Sequence, residues 1–156
     1  MNLLGKPLVN WSIEAAQKSK LIDRFVVSTD DMEIAEISRN CGAEVLMRPH
    51  KYATNSASTV SVLQHAISEI EAETIVLLQP TSPIRVNNII DTAIENFLKS
   101  NADTLATGYI SHHYEWGQFD NLPRQKMDGF FHDDGNIYIF NKQVIKSGRW
   151  TGENLY

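Results

Sequence analysis

Ile75-Val76-Leu77-Leu78-Gln79-Pro80-Thr81-Ser82-Pro83 is the stretch that decides the fold. Four consecutive apolar residues read as a strand covered on both faces, because a half-exposed strand would alternate. Pro80 and Pro83 end it, since proline has no N–H to give to a ladder. Upstream, Val60, Leu63, Ala66, Ile67 and Ile70 recur at helical spacing; downstream, Ile90, Ala93, Ile94, Phe97 and Leu98 do the same. A buried strand between two amphipathic helices is the unit of a layered α/β fold.

The same logic extends in both directions. Leu8, Trp11, Ala15 and Ser19 mark a helix with Pro7 in its first turn, where a missing N–H costs nothing. Phe25-Val26-Val27 reads as a strand. Asp30 with Glu33 predicts a capping box opening a helix through Ile34, Ile37 and Cys41, closed by Gly42. Val45-Leu46-Met47 is a short strand, followed by a loop from Arg48 to about Ala57. Thr104–Ile110 is a further strand, and the pattern weakens over His112–Gln125. Asp133-Asp134-Gly135-Asn136 predicts a turn into a strand over Ile137–Phe140, with a short helix over Lys142–Ser147 ending at Gly148. The alternation predicts an α/β three-layer sandwich with a mostly parallel sheet. The chain opens on a helix with no preceding strand to cross over from.

Composition sets the outer bounds. The 156 residues suit one domain, 1–156, and no repeat or linker divides them. Lys and Arg number 14 against 19 Asp and Glu, a formal charge of −5. Such acidity argues against nucleic acid or an anionic membrane as partner. The single cysteine, Cys41, excludes an intrachain disulfide and reads as core, and no apolar run reaches the length of a membrane span. No secretory signal pattern opens the chain, so the expected setting is cytoplasmic.

In an open parallel sheet, ligands bind outside the carboxyl ends of the strands. Ser28-Thr29-Asp30-Asp31, Arg48-Pro49 and Gln79 to Arg85 follow three successive strands. That rim offers hydroxyls, carboxylates, a carboxamide and guanidinium groups, a set suited to an anionic, polyhydroxylated ligand. Each piece also has a plain structural reading: a helix cap for Ser28–Asp31, a surface ion pair for Arg48. The Gln79 loop is less easily explained that way, because two prolines stiffen it and Gln79 both donates and accepts. His112-His113 and His132-Asp133-Asp134 match no metal-ligand spacing and read as solvated loop. Trp11 and Trp150 read as packing; Trp116, in the irregular stretch, is also compatible with a sugar site. GxGxxG, GxxxxGK[ST] and GxSxG are all absent.

The order of motifs carries a resemblance. Asn2-Leu3-Leu4-Gly5-Lys6-Pro7-Leu8 with Trp11-Ser12-Ile13-Glu14-Ala15-Ala16 is similar to the segment behind the phosphate loop of acylneuraminate cytidylyltransferases, the CMP-sialic acid synthetases. Val27-Ser28-Thr29-Asp30-Asp31, Gly42-Ala43-Glu44-Val45, Arg48-Pro49, Leu77 to Pro83 and Arg124-Gln125 fit the same family, in order, over nearly the whole chain. The resemblance implies a Rossmann-like nucleotide-diphospho-sugar transferase fold, here lacking its first strand. It implies transfer of CMP from CTP to a nine-carbon acidic sugar with release of pyrophosphate. Asn2, Arg48 and Thr59 fall on nucleotide-contacting positions, and Gln79 and Arg124 on sugar-side positions. Thr81 stands where the related Kdo enzymes carry an aspartate, which favours the nine-carbon branch. Family members form dimers, and residues 112–128 occupy the position of the dimerisation arm.

The chain also departs from the pattern. The glycine- and arginine-rich phosphate loop and the strand before it would precede Asn2, and Met1 stands where a phosphate-facing lysine is expected. The carboxylate pair that holds Mg²⁺ in the family would follow Tyr156, so Mg²⁺ is the implied cofactor but its ligands are not in this chain. Asp134 replaces an asparagine of the late turn, and His132 stands where an arginine can occur. No catalytic residue is assigned within the chain. The expectation is a cytidylyltransferase core with the sugar side retained; the alternative is a non-catalytic remnant that binds a sugar or pairs with another subunit. A glycosyltransferase is the weaker third reading, because Asp30-Asp31 lacks the Asp-x-Asp spacing of its metal motif.

Overall fold

The computed structural model describes residues 1–113 and 123–156, with only the backbone of Arg124. Chain order begins with a small hairpin, β1 (Asn2–Leu3) and β2 (Lys6–Pro7), that the apolar pattern does not signal. It is built on positive φ at Leu4 and Gly5. Then follow α1 (Leu8–Lys18), β3 (Val26–Thr29), α2 (Met32–Asn40), β4 (Glu44–Met47), α3 (Thr59–Glu69) and β5 (Thr74–Leu78). α4 (Ile89–Lys99), β6 (Thr104–Ser111), β7 (Phe130–Asn141) and α5 (Lys142–Lys146) complete the order. The α/β alternation read from the sequence is therefore the observed one.

The strands form a three-layer arrangement because the central ones alternate between two cores. Ile137 and Ile139 of β7, with Val76 and Leu78 of β5, face Ile90, Ala93, Ile94 and Phe97 of α4. Tyr138 and Phe140, with Ile75 and Leu77, face Leu63 of α3, Ile145 of α5 and Trp150 on the other side. Successive side chains of a strand point to opposite faces, so the continuous apolar run at 75–78 supplies both layers at once. Trp150 packs edge-on against Tyr138 and Phe140, in keeping with its reading as core.

Strand directions follow from the connections. β3 and β4 pair in parallel through the crossover helix α2. β7 pairs antiparallel with β5 on one side and β6 on the other, so β5 and β6 run the same way and β7 against them. Between β6 and β7 the described residues hold only a short 3-10 turn at Arg124–Lys126, and an antiparallel return needs no crossover helix. β3 and β5 are not paired with each other, and among the described residues no strand lies between them.

Several local readings are corrected. The N-cap of α2 is Asp31, whose side chain accepts from Ile34 N at 3.0 Å; Asp30 is left free for another contact. Ser28 and Thr29 belong to β3 rather than to the loop after it. Asp133–Asn136 is an irregularity inside a long β7, not a turn before it, and the register with β6 shifts between Ala106 and Gly108. Gly135, at φ +68, takes up that shift. Cys41 is the partly exposed C-cap of α2 rather than core, with Gly42 in the left-handed position beyond it. Much of the arm at 112–128, with Trp116, lies outside the described residues.

Candidate functional site

The carboxyl ends of β3 and β5 open onto one groove of about 970 Å³. Ser28, Arg48, Thr59, Gln79 and Pro80 border it at that end. Arg48 reaches it because its backbone N–H donates to Thr29 O at 2.8 Å, holding the start of the loop after β4 against the end of β3. Its guanidinium donates to Asp30 Oδ1 at 3.2 Å, while its buried Nε has no hydrogen-bond partner among the described residues. The Ser28 hydroxyl, also on the groove, is equally unpartnered. Buried polar groups are ordinarily satisfied, so these two mark a place where a ligand or solvent completes the bonding.

Thr59 is the first residue of α3, behind the N-cap Ser58, whose hydroxyl accepts from Ser61 N at 3.1 Å. The first turn of α3, the positive end of its dipole, thus borders the groove at Thr59, and the rest of the helix runs along it through Val62, Leu63 and Ala66. Gln79 is held by what surrounds it. Arg85 donates to Gln79 O and Asn136 O, each at 2.9 Å, and to Ser12 Oγ of α1 at 3.0 Å. One guanidinium therefore ties the loop after β5 to β7 and to α1. Burial lowers the Arg85 pKa, and the nearby Asp134 carboxylate opposes the shift. Gly135 packs so closely here that a Cβ would stand 3.2 Å from Ser82 Oγ and 3.5 Å from Gln79 Oε1.

Beside this knot, Asp134 Oδ1 accepts from Thr107 Oγ1 at 2.8 Å and from Asn136 N at 2.9 Å. Tyr138 donates to Asp133, and burial followed by that hydrogen bond pushes its pKa up to about 12. Arg85, Thr107 and Tyr138 were not singled out as site residues from the sequence. For Arg85 the available signal was a lone arginine two residues past the second proline of a rigid loop.

Of the residues selected from the sequence, Arg48, Thr59 and Gln79 meet at the groove. Asn2 lies on β1, exposed and outside the groove lining. The Arg124 side chain lies outside the described residues. Among the described residues there is no group of three or more His, Cys, Asp or Glu side chains placed to hold a metal ion, and no helix long and apolar enough to cross a membrane.

The molecule is a layered α/β domain, and the polar rim at the carboxyl ends of its strands is where such folds bind ligands. Residues 1–145 match the family model "Cytidylyltransferase", and the chain belongs to the cytidylyltransferase family. It is 38% identical over 94 residues to an Escherichia coli N-acylneuraminate cytidylyltransferase, covering 60% of this chain and 22% of that protein. It is 28% identical to the Oncorhynchus mykiss N-acylneuraminate cytidylyltransferase over 99% of this chain and 40% of the relative. Identity to the Campylobacter jejuni pseudaminic acid cytidylyltransferase (serotype O:2) is also 28%, over 94% of this chain and 62% of that protein. The chain thus spans less than two thirds of the length of these relatives. A solved CMP:2-keto-3-deoxy-manno-octonic acid synthetase in complex with CTP has the same fold, with a TM-score of 0.76 at 14% identity, over 95% of this chain and 68% of that one.

Proposed function

We propose that this chain carries the sugar side of a cytidylyltransferase that moves CMP from CTP to a nine-carbon acidic sugar, an N-acylneuraminate or similar, releasing pyrophosphate. The observation that carries the reading is the meeting of Arg48, Thr59 and Gln79, from three distant segments, at one groove mouth. In the reaction a sugar hydroxyl oxygen bonds to the α-phosphorus and loses its proton to solvent. The bond from that phosphorus to the bridging oxygen breaks, and pyrophosphate leaves with the electron pair. Catalysis of such a transfer is mainly charge neutralisation and positioning.

The proposed roles follow from chemistry. Arg48 supplies a cation whose Nε is still free to donate, and Thr59 adds a hydroxyl at a helix N-terminus; both suit nucleotide phosphates. Asn2 is proposed on the nucleotide side. Gln79 offers donor and acceptor to hydroxyl or acylamino groups, and Arg124 suits the sugar carboxylate. Mg²⁺ is the implied cofactor, supplying charge neutralisation at the phosphates when bound. The rim carboxylates do not fit it as they stand. Asp30 is paired with Arg48, Asp31 caps α2, and Asp134 is taken up by Thr107 and Asn136.

A homodimer is proposed through the outer half of the β6–β7 ribbon, at residues 108–111 and 130–133. It leaves Tyr109 and Phe130 on one face, and Ile110 and Phe131 on the other, more than half exposed, apolar surface that a partner would cover. The proposed setting is cytoplasmic. The second reading is a non-catalytic remnant that binds a sugar or pairs with another subunit. The test is chromatographic detection of CMP-sugar from CTP, N-acetylneuraminate and Mg²⁺, alongside calorimetry of each substrate. Product formation with loss in Arg48→Ala is expected. Sugar binding without product or Mg·CTP binding would overturn the enzyme reading in favour of the remnant.

A further inference from the structure

The loop between β4 and α3 carries Arg48 at its start, and Tyr52, Ala53, Thr54 and Ala57 of the same loop line the groove. Residues 48–52 form one stiff piece. Arg48 N is bonded to Thr29 O, and Pro49 fixes its own φ. A 3-10 turn over His50–Tyr52 follows, with Tyr52 N donating to Pro49 O and Ala53 N to His50 O, both at 2.9 Å. Among the described residues, the hydrogen bonds made by residues 49–57 all stay inside the loop. An aromatic contact reaches out of it. The Tyr52 ring lies against the imidazole of His65 on α3, with centroids 5.0 Å apart and planes tilted by 34°. Lys51 Nζ stands 4.6 Å from the centre of the same ring, but it belongs to the same turn and cannot tie that turn to the helix. His65 is 8% exposed, and its buried Nδ1 has no hydrogen-bond partner among the described residues. Burying an unpaired nitrogen costs stability, so hydrogen bonding at Nδ1 does not explain this imidazole; a flat face for Tyr52 does.

We propose that His65 is a positioning residue for the nucleotide side of the site: its ring latches Tyr52 and, through the stiff piece 48–52, holds the Arg48 guanidinium at the groove. The inference rests on the nucleotide-side role proposed above for Arg48. A rigid segment held at one end can pivot; held at both ends it cannot. The Arg48 end is held by the backbone bond to β3, and the Tyr52 end by the stack on α3. Without the stack the segment turns about Arg48 N, and the guanidinium is aimed at the groove for only part of the time. Apparent affinity then falls in proportion to the aimed fraction, although no group that meets the ligand has changed. His65 is not among the residues that line the groove, so it acts through Tyr52 and not by contact.

The test is amide hydrogen exchange of the intact chain without ligand, followed at Arg48, Tyr52 and Ala53. His65→Ala is expected to speed exchange there at least tenfold while the amides of α3 keep their rates. Tyr52→Leu is expected to free Arg48 and Ala53 to the same degree, and the double variant to be no worse than either single one, because each removes the same contact. His65→Phe, which restores a flat ring without its nitrogens, is expected to bring the rates back to within threefold of the wild type. Calorimetry with CTP reads the consequence: binding at least fivefold weaker in His65→Ala, and recovered in His65→Phe. Unchanged loop exchange in His65→Ala would overturn the proposal, as would faster exchange spread evenly through α3, which marks general loosening. Full CTP affinity in a variant whose loop has been freed would overturn it too. So would failure of His65→Phe to recover, which would assign the role to a ring nitrogen. Absence of CTP binding by the wild-type chain would instead overturn the nucleotide-side role of Arg48, with loop exchange still deciding the latch.

Discussion

Arg85→Ala is the substitution that tests the account of the site most directly. The guanidinium makes three hydrogen bonds to three different elements, two of them to backbone carbonyls that would lose a charged donor. Hydrogen bonds from a charged group are worth about 1.5–3 kcal/mol each, and those sharing one donor group do not add fully. Arg85 is only partly buried, so water can replace part of what is lost. The expected cost is about 3–4 kcal/mol of unfolding free energy. For a chain of this length that lowers Tm by roughly 6–16 °C. Urea unfolding followed by circular dichroism should show a lower midpoint with an unchanged m-value, because the surface exposed on unfolding is the same. Arg85→Lys should recover only part of the loss, since one ammonium cannot span three acceptors in fixed directions. A loss below about 0.5 kcal/mol for Arg85→Ala, the range of ordinary surface substitutions, would refute the claim that this residue fastens the Gln79 loop to β7 and α1.

Three further outcomes are expected. Asp31→Ala should destabilise by about 1 kcal/mol in urea unfolding, through loss of the cap on Ile34 N, whereas Asp30→Ala should cost less. Tyr138, with its pKa pushed up to about 12, should ionise later than the other tyrosines in an ultraviolet titration; Asp133→Asn should lower its midpoint only in part, because burial is the larger cause. The fold favours the neutral phenol, so that stabilisation is complete below the ordinary value of 10.0 and fades as pH rises towards 12. The Asp91 carboxyl is held below its ordinary value of 3.8, chiefly by the Ser19 hydroxyl, so its contribution is present above that pH and is lost as acid takes the solution below it. Asp91→Asn should flatten the acid limb of the stability curve measured between pH 5 and about 2.

What the sequence by itself determined was the alternation of layers. The unbroken run at 75–78, the stripe at 90–98 and Gly42 each report a local cause: burial on two faces, a 3.6-residue period, a backbone turn open to glycine. The ordered motifs likewise marked the family. Tertiary structure alone decided the pairings. Whether Asp30 or Asp31 caps α2 depended on Arg48, eighteen residues away, drawing Asp30 aside. That Asp133–Asn136 bulges inside β7 instead of turning before it depended on β6 pairing through to Ser111. The fastening of the Gln79 loop by Arg85, and the open edges of β3 and β5, are relations between segments dozens of residues apart. Local propensity carries no record of such neighbours, because their energies exist only once the layers have packed.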